Sequence, residues 1–392
     1  MHIPSERIYN KIHAAVASMW FVPANDGAEV SLLVKVPTPT LKALVAGCPL
    51  RLLFGKKDTY LCVGARIEDM PDTPVLLAGA QVIGEEQEAL IRAMKQKVFP
   101  IFLFNEMDIC LASSSIGITV QDSLAVLRLL GSKDSLYNGE FSPGVSYAID
   151  CFVSSVDKTK IYPNSCEIPV IEITPKVGIW ETIDVYFINN GSSYAINISS
   201  EEEGGMFENT IWGCLESVFP TTLYKSPQVK HGDKKREFTD VFACHEYGSF
   251  LIEAKDLSVI QAGYQKGEQR RLTGIQRQVT KGIKQLVGAA KAFKQGDALY
   301  SIDGNEILVN REIPPHAIIL ITELMTCGDW EEITKQLLDA MKETGALFHL
   351  LDFREFITLL KQSSGNPKLI DYNLVERCKF FLKTESVFIR GI

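Results

Sequence analysis

Apolar residues in the second half of the chain fall either in short continuous runs or at helical spacing, and the two patterns alternate. Short continuous apolar runs are typical of buried strands, and a period near 3.6 residues is typical of amphipathic helices. Strands that alternate with helices indicate an α/β domain. Strands are predicted over 237–244, 249–256, 298–302, 306–309, 317–324 and 346–351, and helices over 206–218, 267–295, 330–344 and 353–362.

The first 200 residues also alternate apolar runs with polar turns, and they contain no repeat of fixed period. Turn and linker residues cluster at 189–193 and 199–205. We therefore predict an N-terminal domain over 1–200, of α/β or α+β class and unknown function, and a second domain over 201–392. In the first domain, strands are predicted over 30–36, 75–83, 98–104, 147–153, 167–173 and 185–188, and helices over 85–96 and 121–130.

Composition places the chain among ordinary globular proteins. It has 392 residues, 46% hydrophobic and 22% charged, with a formal net charge of −8. The overall acidity argues against a generally basic nucleic-acid coat protein. The charge is unevenly distributed, however: residues 1–218 carry −10, residues 219–300 carry +6 and residues 301–392 carry −4. A local basic surface is therefore expected only in the middle segment.

Nine cysteines are scattered singly, without a C-x-x-C pair. This spacing fits neither a disulfide framework nor a zinc site, and it predicts free thiols in a reducing cytosol. The N-terminus lacks the pattern of a signal peptide, and no apolar stretch approaches the ~20 residues that span a bilayer. We expect a soluble cytoplasmic protein with no membrane partner.

The chemically informative stretch is a predicted hairpin with a turn at 245–248. If the hairpin is centred between Glu246 and Tyr247, opposed residues have numbers that add up to 493, which places Asp240 opposite Glu253. Opposed side chains have Cβ atoms about 5 Å apart, so these two carboxylates need a compensating cation. Lys255 lies two residues beyond Glu253 and therefore on the same face of the strand.

This combination of side chains predicts a site for metal-dependent hydrolysis. Carboxylate oxygens with open positions for water and phosphate suit Mg²⁺ or Mn²⁺. The ammonium group of Lys255 can orient or help to activate a water molecule. Hydrolysis of a phosphodiester fits these components, because a bound metal polarises the phosphoryl oxygen and lowers the pKa of the attacking water.

The pattern D-x₁₂-E-A-K on consecutive strands resembles the core motif of the PD-(D/E)xK nucleases, over roughly residues 205–325. The resemblance implies a restriction-endonuclease-like mixed sheet flanked by helices. Asp240 and Glu253 match the acidic metal ligands of that family, and Lys255 matches its lysine. The family often adds an acidic residue on the preceding helix, for which Glu208 is the first choice and Glu216 the second. Thr239 stands where the family name has proline.

Many members carry a Gln or Lys on the following helix, and Gln278, Lys281 and Gln285 form a polar strip there beside an apolar stripe. Gln278 joins the predicted catalytic set. Two basic runs flank the hairpin and fit attraction to a phosphate backbone better than a merely solvated face. The predicted nucleic-acid-binding residues are Lys234, Lys235, Arg236, Arg270, Arg271, Lys281 and Gln285.

The resemblance implies a metal-dependent DNA endonuclease of restriction or phage defence, whose N-terminal domain senses, regulates or binds a second copy or a partner protein. Three alternatives remain open. The nuclease-like domain is inert and binds nucleic acid or supports assembly, the substrate is RNA, or the hairpin is a surface salt-bridge set. No phosphate-binding G-x-x-x-x-G-K-[ST] loop, G-x-S-x-G elbow or metal-binding histidine spacing occurs.

Overall fold

The computed structural model describes residues 5–70, 73–160, 162–188, 193–199, 203–231, 234–256 and 268–389. These residues divide into two compact units. The first unit contains the described residues up to 185 together with 197–199. The second contains those of 186–196 and 203–256 together with 268–389. No helix in the described ranges is both long enough and apolar enough to cross a membrane.

Over the described residues, the first unit contains five helices, ten strands and a short 3₁₀ turn at Lys133–Ser135. Its helices are α1 (Glu6–Ala14), α2 (Thr38–Val45), α3 (Gly84–Gln96), α4 (Val120–Leu130) and α5 (Pro143–Val156). Its strands are β1 (Ser18–Ala24), β2 (Glu29–Lys35), β3 (Leu50–Lys57), β4 (Tyr60–Ile67), β5 (Val75–Ala80), β6 (Val98–Phe104), β7 (Cys110–Gly117), β8 (Val170–Ile173), β9 (Lys176–Val177) and β10 (Glu181–Thr182).

Two sheets share the core of the first unit. One has the order β1-β2-β6-β7-β10, with β9 also paired to β7, and the other has the order β5-β4-β3-β8. Phe21 of β1 contacts the rings of Phe54 in β3 and Phe99 in β6, so aromatic packing joins the two sheets. All three rings are buried, and burial of side chains of this size dominates the stability of such a core.

The strand predicted over 147–153 is wrong, because these residues belong to helix α5. Ser142 caps that helix by accepting a hydrogen bond from the Val145 amide, and Pro143 occupies its first turn. An N-cap serine followed by proline is a helix-start signal, and it decides between helix and strand where an apolar run alone does not.

The second unit is built on a mixed five-stranded sheet. The strands of this unit, including those of two smaller sheets, are β11 (Val185–Ile188), β12 (Ser193–Ile196), β13 (Leu223–Lys225), β14 (Gln228–His231), β15 (Lys234–Glu237), β16 (Val241–His245), β17 (Gly248–Lys255), β18 (Leu299–Tyr300), β19 (His316–Ile321) and β20 (Leu347–Asp352). Its helices are α6 (Glu203–Glu216), α7 (Glu268–Gln295), α8 (Glu331–Thr344), α9 (Phe353–Gln362) and α10 (Pro367–Thr384).

The large sheet has the order β13-β16-β17-β19-β20. The first three strands are antiparallel, whereas β17, β19 and β20 run parallel. Helix α7 packs on β17 and β19 through the predicted apolar stripe, which includes Ile275, Val279, Ile283 and Leu286. The predicted α/β class, with a mixed sheet flanked by helices, is confirmed.

The strand predicted over 237–244 is broken into two. Strand β15 ends at Glu237 and pairs with β14 in a small sheet that also contains β18, whereas β16 begins at Val241 in the large sheet. The segment that pairs with these two strands, β13 followed by β14, bends at the same level, where Ser226 has a positive φ of 43°. The break therefore lies at Thr239 and Asp240, next to the predicted site.

Two further differences concern the end of the chain. The β-like run predicted over 306–309 forms no strand and contributes only an isolated bridge between Glu306 and Tyr300. Helix α10 was not predicted, although Asn366 caps it and Pro367 occupies its first turn.

Candidate active site

The hairpin of β16 and β17 has the predicted register. Val241 pairs with Ile252 and His245 pairs with Gly248, so the numbers of opposed residues add up to 493. Continued by one step, this register places Asp240 opposite Glu253, although Asp240 itself precedes the strand. The sequence arithmetic for the hairpin is confirmed.

Side chains replace the backbone ladder where β16 begins. The Thr239 hydroxyl donates a hydrogen bond of 2.7 Å to the Ile252 carbonyl. The Ala254 amide donates one of 2.7 Å to Oδ2 of Asp240. These two bonds hold the Asp240 carboxylate against β17 without regular strand pairing. Thr239 is buried, and a proline in its place has no hydroxyl to offer Ile252.

Lys255 joins the two carboxylates. Its Nζ lies 2.7 Å from Oε2 of Glu253 and 3.6 Å from Oδ2 of Asp240. The side chains of Asp240, Glu253 and Lys255 are 14%, 3% and 12% exposed, so all three are largely withdrawn from water. The cluster is thus a largely buried set of two acids and one base rather than a set of exposed surface charges.

Burial dominates the acid–base properties of Glu253. The pKa of Glu253 is raised to about 7, chiefly because burial disfavours its charged form and secondly because Asp240 repels it. The charge and hydrogen bond of Lys255 oppose that rise. A carboxyl group whose pKa is shifted by burial and a specific neighbour marks a candidate functional site.

Lys255 keeps its proton. Burial alone would lower its pKa, but the charges of Glu253 and Asp240 outweigh burial and raise the pKa of the ammonium group. A lysine that remains protonated supplies positive charge and hydrogen-bond donors, and it cannot act as a general base at neutral pH.

Glu208 of helix α6 is half-buried and electrostatically linked to the same cluster. Its pKa is raised, first by burial and then by the charge of Asp240, while Lys225 opposes the shift. Lys225 donates a hydrogen bond to Asn209, the next residue of α6. The second choice, Glu216, instead accepts a hydrogen bond from the indole of Trp212.

Helix α7 comes close to the site at Gly282. A Cβ atom added there would lie 3.1 Å from Cγ2 of Ile319 and 3.7 Å from Cε of Lys255. Gln278 is half-buried one turn before Gly282, whereas Lys281 and Gln285 are exposed. Glycine permits this close packing, a signal that the sequence carries but that periodicity alone does not reveal.

The predicted nucleic-acid-binding residues differ in their surroundings. Lys235 is exposed with Nζ 4.5 Å from the centre of the Tyr300 ring, and the exposed Arg236 reaches α7 near Gly288. Arg270 is exposed, whereas Arg271 is engaged in an ion pair of 2.5 Å with Glu323. The side chain of Lys234 lies outside the described residues.

The protein side chains at the site could bind a hard divalent cation only if water or substrate supplied further ligands. Among the described residues, no three His, Cys, Asp or Glu side chains gather in a group that could hold a metal ion. Oδ1 of Asp240 and Oε1 of Glu253 are the oxygens not engaged in the contacts above. Two carboxylates completed by water and phosphate are a usual arrangement for Mg²⁺.

A second buried polar cluster went unnoticed in the sequence. His316 contacts His349 through Nδ1 and Asp371 through Nε2, at 3.0 Å each, and Phe250 stacks between His316 and His245. We call His245, His316, His349 and Asp371 the histidine cluster. Its members come from β16, β19, β20 and α10, so no short spacing could announce it.

Comparison with known proteins adds little. No family model matches the chain, and no curated protein matches it. One solved structure, the small subunit of the heterodimeric restriction endonuclease R.BspD6I, has a TM-score of 0.26 and 12% identity. That match covers 48% of this chain and 90% of the other. A similarity at this level carries no argument about activity.

Proposed function

We propose that the second unit is a metal-dependent endonuclease that hydrolyses phosphodiester bonds of DNA. The observation that carries the proposal is the buried cluster of Asp240, Glu253 and Lys255, in which burial and repulsion raise the pKa of Glu253 to about 7. A purely structural hairpin has little reason to bury such a set, because the cost of withdrawing charges from water can exceed what their pairing returns.

Asp240 and Glu253 would hold the metal, Mg²⁺ or Mn²⁺. When bound, that ion would polarise the phosphoryl oxygen and lower the pKa of the attacking water. The Ala254 carbonyl is a further candidate ligand. The amide of the same residue already fixes Asp240, so the backbone of Ala254 would position the site on both sides.

Lys255 has the role of a fixed positive charge. Its ammonium group can orient the attacking water and stabilise the negative charge that develops on the phosphate. Glu208 would hold a water molecule or a second metal ion. Gln278 is placed by α7 one turn from Gly282 and would position the phosphodiester.

The DNA backbone would be held by the exposed basic residues around this site. Lys235, Arg236, Arg270 and Lys281 are exposed, as phosphate contacts require. Gln285 would contribute a neutral donor, and Lys234 belongs to the same β15 segment. Arg271 would have to exchange Glu323 for phosphate, so it is the weakest member of the set.

Cleavage assays test the proposal directly. Wild type should cut supercoiled plasmid DNA in Mg²⁺ or Mn²⁺, and Glu253→Gln should not. Glu343→Gln is the matched control, because it removes a carboxylate from an exposed ion pair with Lys291. Duplex DNA, single-stranded DNA and RNA are compared as substrates. Cleavage of RNA alone would show that the substrate is RNA and not DNA.

Two results would contradict the proposal. Wild type that cuts no substrate with either metal, but shifts the mobility of DNA, would indicate an inert nuclease-like domain that binds nucleic acid. Equal cleavage by wild type and Glu253→Gln would show that the site lies elsewhere.

We place this activity in the cytoplasm, in restriction or phage defence, with the first unit sensing, regulating or binding a second copy or a partner. Expression of wild type in a bacterial host should lower phage plaquing at least about tenfold relative to Glu253→Gln. Equal plaquing by both strains would separate the biochemical activity from this role.

A further inference from the structure

Two cysteines of the first unit lie in contact. Cys151 is in the second half of helix α5, and Cys166 follows in the segment that leads to β8. Their sulfur atoms are 3.5 Å apart, and the amide of Cys166 donates a hydrogen bond of 3.2 Å to the sulfur of Cys151. The two thiols are thus already close, although fifteen positions separate them in sequence.

The segment around Cys166 is tied to helix α5 on both sides of the cysteine. The hydroxyls of Ser154 and Ser165 are 3.0 Å apart, and the Ile168 amide donates a hydrogen bond of 2.9 Å to the Ser155 hydroxyl. These contacts hold Cys166 over the helix and fix its approach to Cys151. The proximity of the two sulfurs is therefore part of the fold.

The two thiols have different environments. Cys166 is exposed, whereas Cys151 is fully buried in a cluster with Leu53, Cys62 and Phe152. The pKa of Cys166 is lowered, first by its hydrogen bond with Cys151, then by one with Tyr147 and by the charge of Lys57. A thiol that is both accessible and more readily ionised than usual is the reactive member of such a pair.

Tyr147 is positioned to support the thiolate. It precedes Cys151 by one helical turn and so shares its face of α5. Hydrogen bonds to Cys166 and Cys151 raise the pKa of Tyr147 to about 12, so its hydroxyl stays protonated and donates. A protonated hydroxyl that donates to a sulfur favours the charged form of that sulfur.

We propose that Cys166 and Cys151 are a reversible redox pair, in which exposed Cys166 reacts with a hydroperoxide and buried Cys151 closes the disulfide. The pair needs only a shift of the Cys166 side chain, since the sulfurs must move from 3.5 Å to about 2 Å.

The reaction balances in two steps. The Cys166 thiolate attacks one peroxide oxygen, the O–O bond breaks, and the departing hydroxide takes a proton to become water, leaving Cys166 as a sulfenic acid. The Cys151 sulfur then attacks the Cys166 sulfur, the S–O bond breaks, and hydroxide leaves with the Cys151 proton as a second water. Two thiols are oxidised to one disulfide while one hydrogen peroxide is reduced. A dithiol reverses the change by thiol–disulfide exchange.

The other cysteines provide an internal comparison. Burial raises the pKa of Cys62 to about 12 and that of Cys327 to about 11, so neither is a good nucleophile at neutral pH. Cys327 is only partly buried and thus serves as a control for accessibility. We expect Cys166 to react with hydrogen peroxide at least about tenfold faster than Cys327, since the thiolate is the reacting species.

Intact mass and peptide mapping of the full chain test the proposal. Treatment with stoichiometric hydrogen peroxide should lower the alkylatable thiols from nine to seven and join the tryptic peptides 134–158 and 161–176. Dithiothreitol should restore all nine thiols. Cys151→Ser should instead leave a sulfenic acid on Cys166 that dimedone traps. Cys166→Ser should leave Cys151 reduced.

Tyr147→Phe tests the donor without altering either cysteine. It should slow the oxidation of Cys166 about three- to tenfold, whereas Tyr162→Phe, an exposed tyrosine of the same segment, should leave the rate unchanged. The wild-type peptide map alone would overturn the proposal if all nine thiols remained. It would also do so if Cys151 joined Cys62, or if Cys166 and Cys327 were oxidised at the same rate.

Discussion

Strand β17 has a polar cluster at each end, and the two clusters handle burial in opposite ways. Near its last residue lie Asp240, Glu253 and Lys255, which we call the carboxylate end. Near its first residue, Gly248, lies the histidine cluster. Both are largely buried, so they differ in side-chain chemistry more than in exposure to water.

Two imidazoles of the histidine cluster lose their charge on burial. Burial lowers the pKa of His349 well below its ordinary value and also lowers that of His245, so both rings are uncharged at neutral pH. His316 then links a neutral ring to Asp371. A Cβ at Gly248 would lie 2.7 Å from Oδ1 of Asp371, so the glycine leaves room for that carboxylate.

At the carboxylate end, the single positive charge of Lys255 does not balance the two carboxylates beside it. Two acids share one lysine, and the pKa of Glu253 rises to about 7 in consequence. Neutral imidazoles cost little to bury, whereas ionised carboxylates cost several kcal/mol each. Under the proposed function, the carboxylate end keeps its charges for chemistry, whereas the histidine cluster serves packing and hydrogen bonding.

The largest expected effect is loss of activity from a single change at the carboxylate end. Lys255→Ala should lower the DNA cleavage rate about 10²–10³-fold, because a fixed positive charge near the reacting phosphate is removed. His316→Gln should leave the rate at 20 °C within about threefold of wild type, as expected for a packing role. Equal losses in both variants, measured on folded protein, would abolish the distinction between the clusters.

The next effect is on stability. His316→Ala removes the partner of both His349 and Asp371, and we expect a loss of about 2–4 kcal/mol in urea denaturation. Tyr372→Ala, an exposed change beside Asp371, should cost less than about 0.5 kcal/mol. A His316→Ala variant as stable as wild type would show that the cluster contributes no net hydrogen bonding.

The third prediction concerns the pH dependence of stability and uses Glu253→Gln, which removes the buried carboxylate that Asp240 repels. Because the pKa of Glu253 is higher in the folded than in the unfolded state, the contribution of this residue to stability is fully present below about pH 4. That contribution is lost as the pH rises toward about 7. Glu253→Gln cannot ionise and escapes that loss. In metal-free buffer it should therefore match wild type near pH 4 and exceed it by up to about 3 kcal/mol at pH 8.

Glu343→Gln should show no such dependence on pH, since its carboxylate is exposed. A Glu253→Gln variant that is less stable than wild type at pH 8 would mean that the ion pair with Lys255 outweighs burial.

The smallest effect tests the anchor of the carboxylate end. Thr239→Val keeps the shape but leaves the Ile252 carbonyl without its side-chain donor, at an expected cost of about 1–2 kcal/mol in thermal or urea unfolding. Thr239→Ser retains the hydroxyl and should remain within about 0.5 kcal/mol of wild type. If serine and valine behave alike, the hydrogen bond does not fix this bend.

The sequence predicted the carboxylate end because its residues are close along one hairpin. Alternation along a strand and the position of one turn were enough to oppose Asp240 and Glu253. The histidine cluster could not be found this way, because His349 and Asp371 reach it from β20 and α10. Likewise, the ion pair that occupies Arg271 joins residues 52 positions apart.

The fold was predictable wherever hydrophobic period and end signals agreed. Strand β6 and helix α9 were predicted with their observed bounds. The strand prediction over 147–153 fails because an apolar run fits both periods, and only the Ser142–Pro143 start signal distinguishes helix from strand there. The break at Thr239 depends on a side-chain bond to another strand, which local pattern does not encode.

The register of the β16–β17 hairpin also limits how this chain can change in length. Deleting one residue between Asp240 and Glu253 would turn Glu253 and Lys255 to the opposite face of the sheet. Deleting two would restore the face but draw both about 6–7 Å along the strand, away from Asp240. Homologous chains that keep the chemistry are therefore expected to keep twelve residues between these two acids, with insertions and deletions confined to segments outside this hairpin.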